Sequence, residues 1–357
     1  MTLQDILNLI NQSTSIEEFA TNNQLKIAID EKTNRYILNY DEAKLNTPKG
    51  YISDYCRGLT LYGTPNNYKI ITKGFNRFYN NHENPEHLVN AKQIDYTKPF
   101  QVQFKYDGSI ILQYYHNGKV YVNTRGSFAQ SNICAILDKS WEEVFNECDR
   151  TQLEDTFLIF PDYTFVYELC TPYNQIVEQY PTSFAKCLAI FRRDGTEVQN
   201  SFEGQIYDCQ SKEEVIELLN TLHPTQEGFV IAQWDKDTNT YIRKKFKTQT
   251  WLDLFNFKND GLSSNAKLWN VVLNGEKDEV ASVFVHLKDT LDEMYNQYQT
   301  MLKEANLEYD RVKHIENQKE FALAINNMEY KYCYFLVRLG KATIIEVIKN
   351  YIKKNKA

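Results

Sequence analysis

Seven cysteines lie scattered at positions 56, 134, 148, 170, 187, 209 and 333, and no two form a C-x-x-C pair. The chain therefore lacks a zinc-ligand pattern, and an odd, dispersed set fits the reduced thiols of a cytoplasm better than a disulfide framework. No apolar run approaches the ~20 residues of a membrane span, so a soluble protein with no membrane partner is expected. The opening Met1-Thr2-Leu3-Gln4-Asp5 has no basic leader before an apolar segment, and no secretory signal is expected. There is no G-x-G-x-x-G, no Walker-type P-loop, no internal repeat and no low-complexity segment, which removes the common glycine-rich phosphate cradles and the solenoid folds. Excess positive charge is missing too. The net charge is -7, which argues against a protein that coats nucleic acid through a broadly basic surface, so any phosphate contact must be local.

What is present is an ordinary globular composition, 42% hydrophobic and 14% aromatic over 357 residues, with a length that suggests two domains. Up to about residue 257 the pattern is mixed. From about Asp260 the acidic and basic residues balance and a helical period takes over: Val280, Phe284, Leu287, Leu291, Met294, Tyr298 and Met301 step by four and three, the seam of one long packed helix. Further helical stretches cover about Gln318 to Leu339 and Ala342 to Lys353. The basic stretch Lys349 to Lys356 has two readings, a phosphate-contacting tail or a solvated helix end.

The first part is organised around Lys105-Tyr106-Asp107-Gly108-Ser109. Period-two alternation in Pro99 to Phe104 puts Phe100, Val102 and Phe104 on one strand face and aims Gln101, Gln103 and Lys105 from the other. Asp107-Gly108 signals a turn, and the next strand, Ile110 to Tyr115, hairpins through Asn117-Gly118 into Val120 to Val122. Lys105 is thus either a nucleophile at the mouth of a sheet or a solvated strand-end lysine. The strand Thr164 to Cys170 has Phe165, Tyr167 and Leu169 on one face and Glu168 on the opposite one. A carboxylate there is expensive to bury unless it meets a cation, a ribose hydroxyl or a metal. Glu227 opens the strand beginning Gly228-Phe229-Val230-Ile231. In Tyr241 to Lys247, Arg243, Lys245 and Lys247 share one face, which needs an anion unless the strand is a solvated edge guarded by lysines. Arg57 and Arg125 also stand beside strands, as triphosphate clamps or as surface salt bridges. Ser15 with Glu18 and Ser211 with Glu214 cap helices, the second of which is expected to end at Pro224.

Taken in order, these pieces resemble the motifs of the covalent nucleotidyltransferases, the superfamily of ATP-dependent ligases and capping enzymes. Lys105-x-Asp107-Gly108 is similar to motif I, Thr124-Arg125-Gly126-Ser127 to motif Ia, and Phe165 to Leu169 to motif III. Glu227-Gly228-Phe229-Val230 is similar to motif IV and Lys245-Phe246-Lys247 to motif V. The flanks resemble the phage-type RNA ligase 1 family of tRNA-repair ligases: Cys56-Arg57-Gly58, Arg77-Phe78-Tyr79-Asn80 with Glu83-Asn84-Pro85, and Glu168 followed by Pro172, Asn174 and Ile176-Val177. The likeness spans about residues 35 to 255, with Gly275 and Asp278 similar to a metal-holding position. Arg77 and Arg125 stand where the phage enzymes commonly have lysine, and Gln175 where they have arginine.

The resemblance implies an α+β fold, an antiparallel-sheet nucleotidyltransferase (ligase) domain over 1–257 followed by an all-helical C-terminal domain over 258–357 that would recognise RNA or tRNA. It implies Lys105 as the AMP-accepting nucleophile, with Tyr40, Arg57, Arg77, Tyr79, Asp107, Gly108 and Arg125 around ATP. Glu168 would hold the ribose or a metal, Glu227 and Asp278 would serve Mg²⁺, and Lys245 and Lys247 would grip the phosphates. Trp251 falls where the family has an essential tyrosine. The implied substrates are ATP and RNA with 5′-phosphate and 3′-hydroxyl ends, a nicked tRNA among them. A DNA ligase or capping enzyme, and a non-catalytic RNA-binding protein on a ligase fold, are the rival readings. For a lysine of ordinary pKa ~10.4 to attack at neutral pH, its neighbours are expected to lower that value, with Lys245, Lys247 and Mg²⁺ doing so.

Overall fold

In the computed structural model, which describes residues 1–40, 50–85, 87, 92–133, 138–259, 265–275, 277–284 and 287–355, the chain divides into two units, Met1–Leu252 and Asp253–Ala357. Cys134, the start of the second unit's pattern at Asp260 and the tail residue Lys356 lie outside the described residues.

The first unit runs α1 (Leu3–Gln12), α2 (Ile16–Asn22), β1 (Leu25–Asp30), β2 (Arg35–Tyr40), α3 (Tyr51–Tyr55), β3 (Leu59–Thr64), β4 (Asn67–Thr72), β5 (Gln101–Lys105), β6 (Ser109–His116), β7 (Lys119–Thr124), α4 (Trp141–Glu147), β8 (Tyr163–Cys170), β9 (Phe184–Arg192), β10 (Ile206–Tyr207), α5 (Lys212–Leu219), β11 (Gly228–Asp235) and β12 (Thr240–Lys247). The strands form three antiparallel sheets in the orders β1-β2-β3-β4, β10-β5-β11-β12 and β7-β6-β8-β9. Alternation divides each strand between two faces, and in the sheet of β6, β8 and β9 apolar side chains bury both, with Leu112, Val166 and Ala189 packed against Phe75 and Phe191 on the second. Val102 and Phe104 pack with Phe229, Ile231 and Phe246 under Val215 of α5, and Phe165, Tyr167 and Leu169 pack with Ile111 and Val122 under Phe145 of α4. Each such side chain, fully buried, stabilises the fold by about 1.5–3 kcal/mol. Polar groups therefore enter at the strand mouths, as Lys105 does at the end of β5 and Glu168 near the end of β8.

Sequence expectations on capping and helix length need three corrections. Ser15 Oγ accepts the Glu18 amide, but the Glu18 carboxylate returns to the Thr14 amide rather than to Ser15, so the box is shifted by one residue. α5 closes at Asn220, not at Pro224, because two successive turns already occupy Thr221 and Leu222. In the second unit the expected single seam is split between two helices. After α6 (Gln249–Asn259) come α7 (Asn265–Asn274), α8 (Lys277–Val283), α9 (Lys288–Val312), α10 (Gln318–Ile325), α11 (Lys331–Arg338) and α12 (Ile344–Asn355). Val280 sits on α8 while Leu291, Met294, Tyr298 and Met301 are buried on α9, and the Leu287 amide turns back onto the Phe284 carbonyl between them. The helical stretches expected over Gln318 to Leu339 are α10 and α11. No helix among the described residues is long and apolar enough to cross a membrane.

The register of β5, β11 and β12 hinges on Gly228. A Cβ on this residue would stand 1.9 Å from the Phe246 carbonyl oxygen, and its φ of +142 is one that side-chain-bearing residues rarely adopt. Gly118, at φ +81 in the β6–β7 hairpin, has nothing within 4 Å of the same position. Gly118→Ala is therefore expected to cost about 1 kcal/mol from backbone conformation alone, and Gly228→Ala about 3 kcal/mol or more, since strand pairing must open to admit the methyl. Urea unfolding of both variants checks the difference; equal losses would mean that the Gly228 approach does not hold the sheet together.

Candidate active site

Two strand mouths supply the centre of the site. Lys105, the last residue of β5, pairs opposite Gly228, and Gly228 pairs on its other side with Lys247 of β12. Glu227, one residue earlier, is thereby set between the two amines. Its Oε2 accepts from Lys105 Nζ in a short contact, and its Oε1 lies 2.7 Å from Lys247 Nζ. The carboxylate is buried, and although burial opposes its charge, Lys105 and Lys247 outweigh that and hold it below the usual glutamate range. Lys247 also rides over the ring of the buried Trp251 at 4.2 Å.

The second mouth is that of β6 and β8. The Gly108 amide donates to Glu168 Oε1 at 3.2 Å, and the close approach leaves no room for a side chain, since a Cβ there would stand 2.4 Å from the Leu169 carbonyl oxygen. Glu168 faces away from Phe165, Tyr167 and Leu169, as the alternation requires. Burial pushes its carboxyl up to about 7, with Lys105 and Arg57 pulling the other way. Asp107 is fixed by the amides of Val177 and Glu178, which donate to its Oδ2 at 2.7 and 2.8 Å. Its own amide donates to the Tyr180 hydroxyl, and Oδ1 is buried without a hydrogen-bond partner among the described residues.

Three arginines meet on one ring. The Arg77 and Arg125 guanidinium carbons lie 4.6 and 5.5 Å from the centre of the Tyr40 ring, and Arg57 hydrogen-bonds to the same tyrosine. Burial and then the Arg125 charge push the Arg57 pKa down. Lys245 completes the cluster. Its backbone is bonded to Tyr79 and Asn81, and its ammonium lies 5.2 Å from the Phe78 ring centre. Burial, then the charges of Lys105, Arg57 and Lys247, push it down to about 7.

Two expectations change here. The Lys105 amine is not lowered: burial by itself would push it down, but Glu227, followed by Glu168, outweighs that and holds it above the usual lysine value. The expected like-charged face of β12 is also already divided, because Arg243 forms a buried pair with Glu197, with Nη1 2.9 Å from Oε2. That anion lies 46 residues away in sequence, so no local pattern could reveal it. Asp278 belongs to the second unit, where it is exposed and pairs with Lys277 at 2.9 Å. Sequence reasoning passed over Asp54, whose two oxygens hold the Tyr79 hydroxyl at 2.6 Å and His87 at 2.8 Å, and over the buried Lys73. Neither carries a motif signal.

Among the described residues no group of three or more His, Cys, Asp or Glu stands in metal-binding geometry. A magnesium-class ion uses one or two carboxylates, its own waters and substrate phosphates. The donors present fit that class: Glu168 is a hard oxygen donor whose charge burial disfavours, and Asp107 Oδ1 is an unsatisfied acceptor beside it.

This arrangement agrees with comparison to known proteins, in which a model of the RNA ligase family matches residues 55–258, more than half of the chain. The chain belongs to the phage-type RNA ligase family. It is 25% identical over 338 residues to a protein of Autographa californica nuclear polyhedrosis virus named as a bifunctional polynucleotide kinase/RNA ligase, covering 89% of this chain and 47% of that one. It is 22% identical to an RNA ligase of Rhodothermus phage RM378, covering 77% of this chain and 78% of that one. The chain thus spans about half the length of the first of these relatives. An archaeal ATP-dependent RNA ligase shares the fold, with a TM-score of 0.50 at 14% identity over 99% of each chain.

Within this site, the charge on Glu227 is the largest influence that keeps Lys105 protonated. In Glu227→Gln the opposing influence of burial remains, so the Lys105 amine should titrate lower and react faster with an acylating reagent at pH 8. Site-resolved mass spectrometry of the nucleotide-free protein checks this; slower or equal labelling of Lys105 would mean that Glu227 does not control it.

Proposed function

We propose that this chain joins RNA ends with ATP through a lysyl-AMP intermediate on Lys105. The observation that carries the reading is the buried group formed by Lys105, Glu227 and Lys247, with Lys245 beside it. Lys105 must lose its proton before it can attack. Once the charge of Glu227 is engaged elsewhere, burial is the largest remaining influence on the amine and favours the neutral form. The Nζ lone pair then forms a bond to the α-phosphorus of ATP while the bond to the β-phosphate bridging oxygen breaks and pyrophosphate leaves. Lys245 and Lys247 would face the charge that builds on the phosphoryl oxygens, and Arg57, Arg77 and Arg125 would take the remaining phosphates around the Tyr40 ring. AMP passes next to the 5′-phosphate of an RNA end, and a 3′-hydroxyl displaces it to close the phosphodiester.

A divalent metal ion, Mg²⁺ by preference, would be held by Glu168 or Glu227 and would supply charge neutralisation at the phosphoryl oxygens. Glu168 and the Gly108 amide would position the nucleoside side of ATP, and Trp251 would hold Lys247 in line through its ring. A nicked tRNA in the cytoplasm is the proposed natural substrate, and recognition of it is the role proposed for the helical second unit. A DNA ligase or capping enzyme is the rival within the same chemistry, and a helical rather than β-rich segment after β12 favours RNA.

Lys105→Ala should abolish transfer of label from α-labelled ATP to the protein while leaving the fold intact by circular dichroism. Label surviving in that variant would refute the assignment. Wild type should seal single-stranded 5′-phosphate RNA in preference to nicked duplex DNA, and the reverse preference would favour the rival.

A further inference from the structure

Lys73 follows β4 directly, outside every motif used above. It is only 3% exposed, and its Nζ is buried without a hydrogen-bond partner among the described residues. A lysine confined in this way is costly unless an anion or a carbonyl satisfies it. Burial first, and then the charge of Arg57, push its pKa down to about 7, while Cys56 and Asp54 pull the other way. Asp54 is the carboxylate among those neighbours, and its two oxygens are taken by Tyr79 and His87. A packing role for the aliphatic stem would explain the burial of the carbons, but it would not explain an ammonium group left without an acceptor.

The surroundings point to a ligand. Lys73 and Arg77 line a cleft of about 510 Å³ in the first unit. Arg77 Nη1 is likewise buried without a hydrogen-bond partner among the described residues. Other cations on this cleft are committed: Arg243 to Glu197, Lys92 to Asp235 and Asp237, and Lys244 to the Glu83 carbonyl at 2.9 Å. Two residues that line one cleft thus each carry a buried, unsatisfied cationic donor, a planar fork and a compact ammonium, a pairing that matches an anion with several oxygens.

We propose that Lys73 and Arg77 form an anion subsite that takes a phosphoryl group, with Lys73 as its buried ammonium donor. The choice of phosphoryl source rests on the ligase reading: either the pyrophosphate that leaves ATP or the 5′-phosphate of an RNA end. The anion chemistry itself does not depend on that reading.

Titration calorimetry of the full chain distinguishes the sources, using inorganic pyrophosphate, a 5′-phosphorylated oligoribonucleotide and its 5′-hydroxyl counterpart. Lys73→Met should weaken at least one phosphoryl ligand by about tenfold or more, the loss expected for a charge-assisted hydrogen bond, and Lys73→Arg should restore most of it. Loss for pyrophosphate alone assigns the subsite to the leaving group, and loss for the 5′-phosphate oligonucleotide alone assigns it to the RNA end. Equal weakening of the 5′-hydroxyl oligonucleotide, unchanged binding in Lys73→Met, or no phosphoryl binding by wild type overturns the proposal. Should Lys73→Met fail to fold, the ammonium resonance of Lys73 in isotope-labelled wild type is followed on adding pyrophosphate and then the 5′-phosphate oligonucleotide: a shift with either supports the subsite, and none with both rejects it. Wild-type labelling by α-labelled ATP is scored in parallel. Its absence would defeat the ligase reading and leave the anion titrations standing, whereas normal anion binding by Lys73→Met would defeat only the subsite.

Discussion

A single carboxylate, Glu227, faces two ammonium groups at the mouth of one sheet, and the geometry of the site depends on it. Removing one partner of such a buried group leaves an uncompensated charge, typically at a cost of about 3–5 kcal/mol, so the three side chains hold one another in place. The backbone makes the arrangement possible. Gly228 lets β11 approach β12 closely enough that Lys105 and Lys247 pair across the same residue. Chemistry and sheet register are therefore one constraint: a slip of one residue would turn Lys105 toward the core and separate all three groups.

The second sheet adds what the first lacks. Glu168 and Asp107 enter from β8 and from the turn before β6, each accepting from backbone amides, and the Lys105 charge acts on both. The Tyr40 ring gathers the arginines. Stacking on a ring orients the plane of a guanidinium group, the geometry a planar fork needs to meet phosphate oxygens. Asp54 acts one layer further out, anchoring the Tyr79 hydroxyl next to the strand that carries Lys245.

Much of this was legible in sequence because strand alternation has a period of two. It placed Lys105, Glu168, Lys245 and Lys247 opposite apolar faces that are indeed buried. The same alternation grouped Arg243 with the two lysines, and there local pattern failed, since the partner that claims Arg243 arrives from a loop far along the chain. The break between α8 and α9 was hidden for a different reason: the apolar step of three and four continues through the turn, so packing alone gives no stop signal. Burial of Lys73 is a tertiary fact. Nothing in the order Thr72-Lys73-Gly74 says that a lysine there is enclosed, whereas a single carboxylate among apolar strand residues announces its own cost.

The sign of the Lys105 shift carries the remaining argument. Without nucleotide, Lys105 is held as an ammonium by Glu227, while Lys245 and Lys73 are pushed toward neutrality by burial and by neighbouring cations. An arriving polyphosphate reverses these influences on Lys245 and Lys73, because it supplies the negative charge that burial withholds from them. The same anion would disfavour a neutral Lys105, so deprotonation of this amine has to come from loosening its tie to Glu227 rather than from the phosphates themselves. Lys247 shares that carboxylate, and movement of Lys247 toward the phosphates would strengthen, not weaken, the hold of Glu227 on Lys105. A group that frees the Lys105 amine must therefore engage Glu227 directly, which is what a cation bound to its oxygens would do.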